Sequence, residues 1–328
     1  MRAGTVGSVG LPGGRGSAGR PRAVPPEFET AATVVHRLSV LLDAGVAPGS
    51  AWQHAASGLD SAVATAVAAA ARDRGTVGRE LIDALLDARS LAPPGEREAW
   101  AAVGTAWAVA SESGAPLAPT LRRFAEVLRA LAQGRRNVEV ALAGPVATSR
   151  IVLALPALGL VLGMLLGLDA LRILATTPAG WACLVAGGLL IACGERWNRR
   201  LIRAAQAVDA TPGLALELLA IAVSGGASLE RSRELVDRSL AEAGFVALDD
   251  SADAVVAFSR GAGVPAAALL RAEAAERRRV AGAEAERKAV ELGSRLLLPL
   301  GVCILPAFIA LGVAPILVSI VSSTAIAV

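Results

Sequence analysis

Few residues in this chain are suited to chemistry. His36 and His54 are the only imidazoles, and no cysteine or carboxylate cluster stands with them at metal-ligand spacing. They are read as structural residues of neighbouring helices. Cys183, Cys193 and Cys303 each fall inside an apolar run; without disulfide or metal spacing they are expected to be small core side chains. Gly-x4-Gly-Lys-Ser/Thr, Ser-x-x-Lys and Gly-x-Ser-x-Gly do not occur, which excludes a P-loop ATPase and the acyl-transfer enzymes that carry those patterns. Arg277-Arg278-Arg279 could touch phosphates; just inside an apolar run, it is expected to meet anionic headgroups or to set topology. No catalytic, cofactor-binding or metal-binding residue is assigned, and no cofactor.

The elements that would have to position any such residue are helical and partly apolar. The chain is 54% hydrophobic with a mean hydropathy of +0.55, yet 19% charged, so part of it lies in lipid and part in water. Its net charge is +3, carried by arginines and a single lysine, Lys288. Tyrosine is absent and aromatics are 3%, which argues against a base-stacking surface, and no nucleic-acid partner is expected.

Two apolar runs, 151–168 and about 178–194, are joined by a short connector holding Asp169 and Arg172. They predict a membrane hairpin, with Trp181 near one interface. A third run, 296–318, contains Pro299, Pro306 and Pro315; neighbouring helices and water can satisfy the carbonyls freed by such prolines. No run holds the buried carboxylates or histidines of a proton or ion relay.

The polar segments read as helices. Val34, Val35, Leu38, Leu41 and Leu42 lie on one face of a helix over 33–44, which Gly45 ends. Further helices are predicted over 48–56, 61–74, 77–89 and 96–111, and one from Pro119 toward the first span. The first segment is thus expected to bury a core of its own. In the second segment Thr211-Pro212 is expected to start a helix that stops at Gly225-Gly226, and Ser228 to cap the next. A third follows Leu248. The long helix over 266–291 carries Glu273–Arg277, Glu284–Lys288 and Glu291–Arg295 as i,i+4 pairs.

The two segments look like copies. Gly114-Ala115-Pro116 before Leu121-Arg122 matches Gly263-Val264-Pro265 before Leu270-Arg271. Each leads through a long Arg/Glu helix to Leu-Pro-Ala, at Leu155-Pro156-Ala157 and Leu305-Pro306-Ala307. The expected fold is therefore all-α: an integral membrane protein with two cytoplasmic helical bundles, an internal repeat and three transmembrane helices. Its divisions are a disordered tail (1–28), a first bundle (29–145), the hairpin (146–195), a second bundle (196–293), a third span (294–322) and an outward tail (323–328). Arginines crowd the bundle side of every span. The positive-inside rule then places both bundles in the cytoplasm and the C-terminus outside, in a multi-pass protein of the cell membrane.

Two such bundles, one before a hairpin and one before a last span, resemble the type II secretion F family of inner-membrane platform proteins. The wording is closest to the actinobacterial TadB and TadC proteins of the Tad (Flp) pilus. Ser149-Arg150-Ile151-Val152-Leu153-Ala154-Leu155-Pro156 and Trp197-Asn198-Arg199-Arg200 are similar to the TadB hairpin region. Leu298-Pro299 through Pro306-Ala307-Phe308 to Gly312-Val313 is similar to the last TadC span. The resemblance implies a non-enzymatic platform that couples a cytoplasmic assembly ATPase to pilin extraction or protein secretion. The implied partners are that ATPase, pilin-like subunits, a related platform subunit or a second copy of itself, and membrane lipids. Its implied partner contacts are the charges of the juxtamembrane helices: Arg122, Arg123 and Arg129 in the first copy, Arg271, Arg277 and Arg278 in the second. The alternative reading is a small membrane transporter or channel component. If the two histidines are structural, alanine at both His36 and His54 should leave function unchanged in a strain that depends on this protein; loss of function would place a site there.

Overall fold

In the computed structural model the described residues are 28–57, 61–74, 83, 87, 89–92, 94–165, 177–206 and 211–314. The tail at 1–27, most of the helix expected at 77–89, the hairpin turn with Asp169 and Arg172, and 315–328 lie outside them. Every regular element among the described residues is helical. In chain order these are α1 (Glu29–Asp43), α2 (Pro48–Ala56), α3 (Ala62–Arg74), α4 (Pro94–Ser113) and α5 (Leu117–Leu165). Then come α6 (Pro178–Gln206), α7 (Leu214–Ser224), α8 (Leu229–Ala243), α9 (Ser251–Ala262) and α10 (Ala266–Arg295). A final helical run over 297–313 continues α10 almost without a break.

The centre of the fold is α7. Leu214, Leu216, Leu218, Leu219, Ile221 and Ala222 bury every side of it, as expected of a helix that is apolar all round. It packs against α4, α8 and α10, while α1 lies along α5, and α5 along α10. The buried residues of the two segments are joined. One continuous core runs from Val35, Trp52, Trp107 and Leu128 to Leu218, Val236 and Leu270. Trp52 and Trp107 meet inside it with ring centroids 5.6 Å apart and planes tilted by 59°. Arg238 pairs with Glu112 at 2.7 Å across the two segments.

Local signals set the boundaries. Gly45 takes φ 82° after α1, and the Gly45 and Val46 amides donate to the Leu42 and Leu41 carbonyls at 3.0 Å, which satisfies two of the orphan carbonyls at the helix end. The Ser228 hydroxyl accepts from the Arg231 amide at 3.4 Å and caps α8 as expected. At α7 the expectation fails: Gly213, at φ 73°, holds the N-cap position, and Thr211 instead gives its carbonyl to the Leu214 amide at 3.1 Å. The reason is crowding. A Cβ at position 213 would lie 2.5 Å from the Ala274 carbonyl oxygen of α10.

Toward the apolar runs the helices converge. Leu142, Ala289, Leu292 and Leu296 form a second, smaller core flanked by Leu201 and Ile202. Beyond it α5 has already run unbroken for 49 residues, a rod of about 73 Å. The run Ala266–Leu311 is long enough to cross a membrane and holds an 18-residue stretch apolar enough to do so, with a mean hydropathy of 2.0. Its last part alternates ordinary α turns with wider π turns at Leu300–Ile304 and Ile309–Val313, beside Pro299 and Pro306, where missing amides loosen the ladder. It packs closely on α6: a Cβ at Gly187 would fall 2.4 Å from Leu311 Cγ, and one at Gly194 3.1 Å from Cys303 Cβ. Only Cys303 is buried; Cys183 is half-buried and Cys193 exposed, so the expected core role fits Cys303 alone. Gly213→Ala should combine left-handed strain with a backbone clash and cost about 1–3 kcal/mol, read as a lowered unfolding midpoint of the full chain in detergent.

Candidate functional site

The six arginines singled out in the sequence separate in space. Arg122 pairs with Asp43 at 2.6 Å on an open surface, a contact worth little in water. Arg129 is exposed on α5. Arg277 turns to the start of α9. It donates to Asp249 at 2.9 Å and to the Ser251 hydroxyl, and pairs with Glu273 at 3.5 Å. The Ser251 hydroxyl and then the Arg277 guanidinium hold the Asp249 carboxyl below its ordinary range. Of the expected i,i+4 pairs, Glu273–Arg277 and Glu291–Arg295 form. No ion pair joins Glu284 and Lys288 among the described residues.

Arg123, Arg271 and Arg278 come together. They face a groove of about 730 Å³ between α5 and α10. Both helices run toward the small core at Leu142 and Leu292, so the groove walls are parallel and in step. Asn137 Nδ2 donates to Glu286 Oε1 at 2.8 Å and bridges the two walls there. At the other end lies Glu217 of α7, a residue the sequence reading passed over. Its signal was present: a lone carboxylate inside the apolar stretch 214–223.

Glu217 is 4% exposed. Arg278 donates to Oε2 at 3.3 Å, and Arg271 stands 3.9 Å from Oε1 while donating to the Ser224 hydroxyl at 2.8 Å. Burial raises the Glu217 carboxyl above its ordinary range, against the pull of Arg278, Arg271 and Arg123. Burial also lowers Arg271, with Arg123 repelling it in the same direction and Glu217 opposing. Three guanidinium groups therefore stand around Glu217, and Glu126 and Glu286 line the same groove. Arg271 Nε and Arg278 Nη1 are left without an acceptor.

Arg278 stands 18 residues before Leu296, about 27 Å along a helix. The arrangement can bind a carboxylate or another anion in water; among the described residues no group of three or more metal-ligating side chains forms.

Residues 34–165 match the model of the family described as type II secretion system (T2SS), protein F. This stretch is similar to a T2SSF domain. It takes in α1 to α5, and so the Arg123 wall of the groove. No curated protein and no solved structure matches the chain. T2SSF proteins are generally non-enzymatic platform components of the inner membrane that work with a cytoplasmic ATPase and other secretion components.

Glu217→Ala should cost about 3–5 kcal/mol, because it strands two largely buried guanidinium groups. Glu217→Gln, which keeps an acceptor oxygen, should cost less. Since the carboxyl holds its proton more tightly when folded, its contribution to stability is full in acid and is lost as pH rises through its folded value. Glu217→Gln should remove that part of the slope in unfolding measured across the mildly acidic range.

Proposed function

We propose that this protein is a non-enzymatic inner-membrane platform of a Tad or type IV pilus, or of a type II secretion assembly. In this reading it couples a cytoplasmic ATPase to pilin extraction or protein secretion. The observation that carries it is the T2SSF domain at 34–165, whose last helix leaves a packed core and continues into an apolar run. A single helix joining both environments can pass a displacement at one end to the other.

Three spans are part of the proposal. Large apolar side chains stand exposed along each run: Ile151 and Leu158 on α5, Val185 and Leu189 on α6, Leu298 and Val302 on the final run. Apolar surface repeated along helix faces in this way is suited to lipid. The close approach at Gly187 and Gly194 is the kind of packing that small residues permit between membrane helices. Two cytoplasmic copies of one unit are supported by order and pairing. In the first, α1 packs on the long helix α5; in the second, α7 packs on the long helix α10. The Tad assignment rests on the wording of the hairpin region and the last span alone. The arginines around each run support a topology with the bundles inside and the C-terminus outside.

Affinity purification of the tagged full chain from its own membranes, followed by mass spectrometry, tests this. Recovery of an assembly ATPase together with pilin-like subunits is expected; a chain that comes out alone would count against it. Cysteines placed at Asp169 and Glu284 in a variant lacking Cys183, Cys193 and Cys303 check the topology. An impermeant maleimide should label position 169 in intact cells and position 284 only after lysis.

A further inference from the structure

Two thiols far apart in the sequence meet in the fold. Cys193 and Cys303 are 110 residues apart. They stand on α6 and on the final helical run, and their side chains are in hydrogen-bond contact. The backbones are close at this level: a Cβ at Gly194 would lie 3.1 Å from Cys303 Cβ and 3.3 Å from Ile304 Cδ1. A disulfide needs its two Cβ atoms about 3.5–4.5 Å apart, so helices held this near are within its range. The two sulfurs are not equivalent, because Cys193 is exposed and Cys303 is buried. Cys303 also lies inside the π turn Leu300–Ile304, between Pro299 and Pro306. Such turns are frequent at functional positions, and the amides missing at the two prolines leave this stretch freer to shift than a regular helix. Cys183, the third thiol, stands ten residues earlier on α6, about 15 Å along the helix.

We infer that Cys193 and Cys303 form a redox-active pair: a hydroperoxide oxidises Cys193, and Cys303 resolves the product into a disulfide that ties α6 to the final run. In the first step the Cys193 sulfur gives an electron pair to the terminal oxygen of the hydroperoxide. The O–O bond breaks, water or an alcohol leaves, and Cys193 becomes a sulfenic acid. In the second step Cys303 Sγ attacks that sulfur. Its proton leaves with the hydroxyl group as water, and the S–S bond closes. A dithiol reverses the change by exchange and is itself oxidised to a disulfide. An exposed thiol beside a resolving one is the arrangement of thiol redox sensors. In a reducing compartment the pair rests as thiols and closes only when oxidant arrives. The bond stops α6 and the final run from sliding past each other where they pack. That resting state rests on the proposed cytoplasmic placement of the bundles; the pairing itself rests on the contact alone.

The test is to add hydrogen peroxide to membranes holding the full chain, block free thiols with N-ethylmaleimide, and map the peptides by mass spectrometry without reduction. The expected product is a peptide pair joining 193 to 303, reversed by dithiothreitol, with Cys183 still alkylated. Cys303→Ser removes the resolving thiol, so the same dose of peroxide should carry Cys193 on to sulfinic acid. Cys303→Ala is the second variant, in case a hydroxyl is not tolerated at this buried position. The oxidised chain should also unfold at a higher midpoint in detergent than the reduced one, and Cys193→Ser should abolish the difference. Both thiols alkylated after peroxide, a link only between two copies of the chain, or sulfinic acid at Cys193 with Cys303 intact would overturn the inference. Recovery of an ATPase and pilins with a chain whose two thiols stay free would remove the pair and keep the platform reading. A 193–303 disulfide in a chain that purifies alone would do the reverse.

Discussion

A carboxylate in the middle of an apolar helix is the constraint on which this fold turns. Glu217 sits on α7, which is surrounded by core on every side. Leaving an ion there without partners would cost several kcal/mol, so the guanidinium groups of Arg271 and Arg278 have to stand where they do. That requirement fixes the face α10 turns to α7, and with it the direction in which α10 leaves for the apolar run. Arg123 is then brought opposite by the packing of α5 on α10. The charge cluster is a consequence of how three helices meet around one buried group, and neither long helix alone would assemble it.

The same packing joins the T2SSF-like stretch to the helices that follow it. Its core residues, from Val35 to Leu128, are continuous with those of α7, α8 and α10. Gly225 marks how close the union is: a Cβ there would fall 2.1 Å from the Ser113 carbonyl oxygen at the end of α4. Any motion imposed on the first segment is therefore shared by the second. Both long helices carry it together through the small core at Leu142 and Leu292, where α6 joins them.

Much of this was legible in the sequence. The helix periodicities, the glycine stop after α1, the serine cap of α8 and the long charged helices all follow from local chemistry, and the structure has them. What could not be read locally depends on neighbours far along the chain. Thr211 looks like a cap because Pro212 follows it; Gly213 holds the position because α10 passes too close for a side chain. Arg277 and Arg278 are adjacent in sequence, yet helix rotation sends one to Asp249 and the other to Glu217. Glu217 itself was overlooked because a single charge does not disturb an apolar pattern, although burial makes it the most consequential residue of that helix.

The continuous core also sets a timetable. When the ribosome has finished residue 132, α1 to α4 and the packed face of α5 exist, but α7, which fills the space against α4, does not. Another 82 residues must be made before Leu214 appears, roughly 4–16 s at ordinary rates of synthesis. Throughout that interval the flank of α4 that will receive α7 is bare, while the two apolar runs are emerging behind it. The first half of the protein thus waits, open on one side, for a helix that arrives only after the two apolar runs have been made.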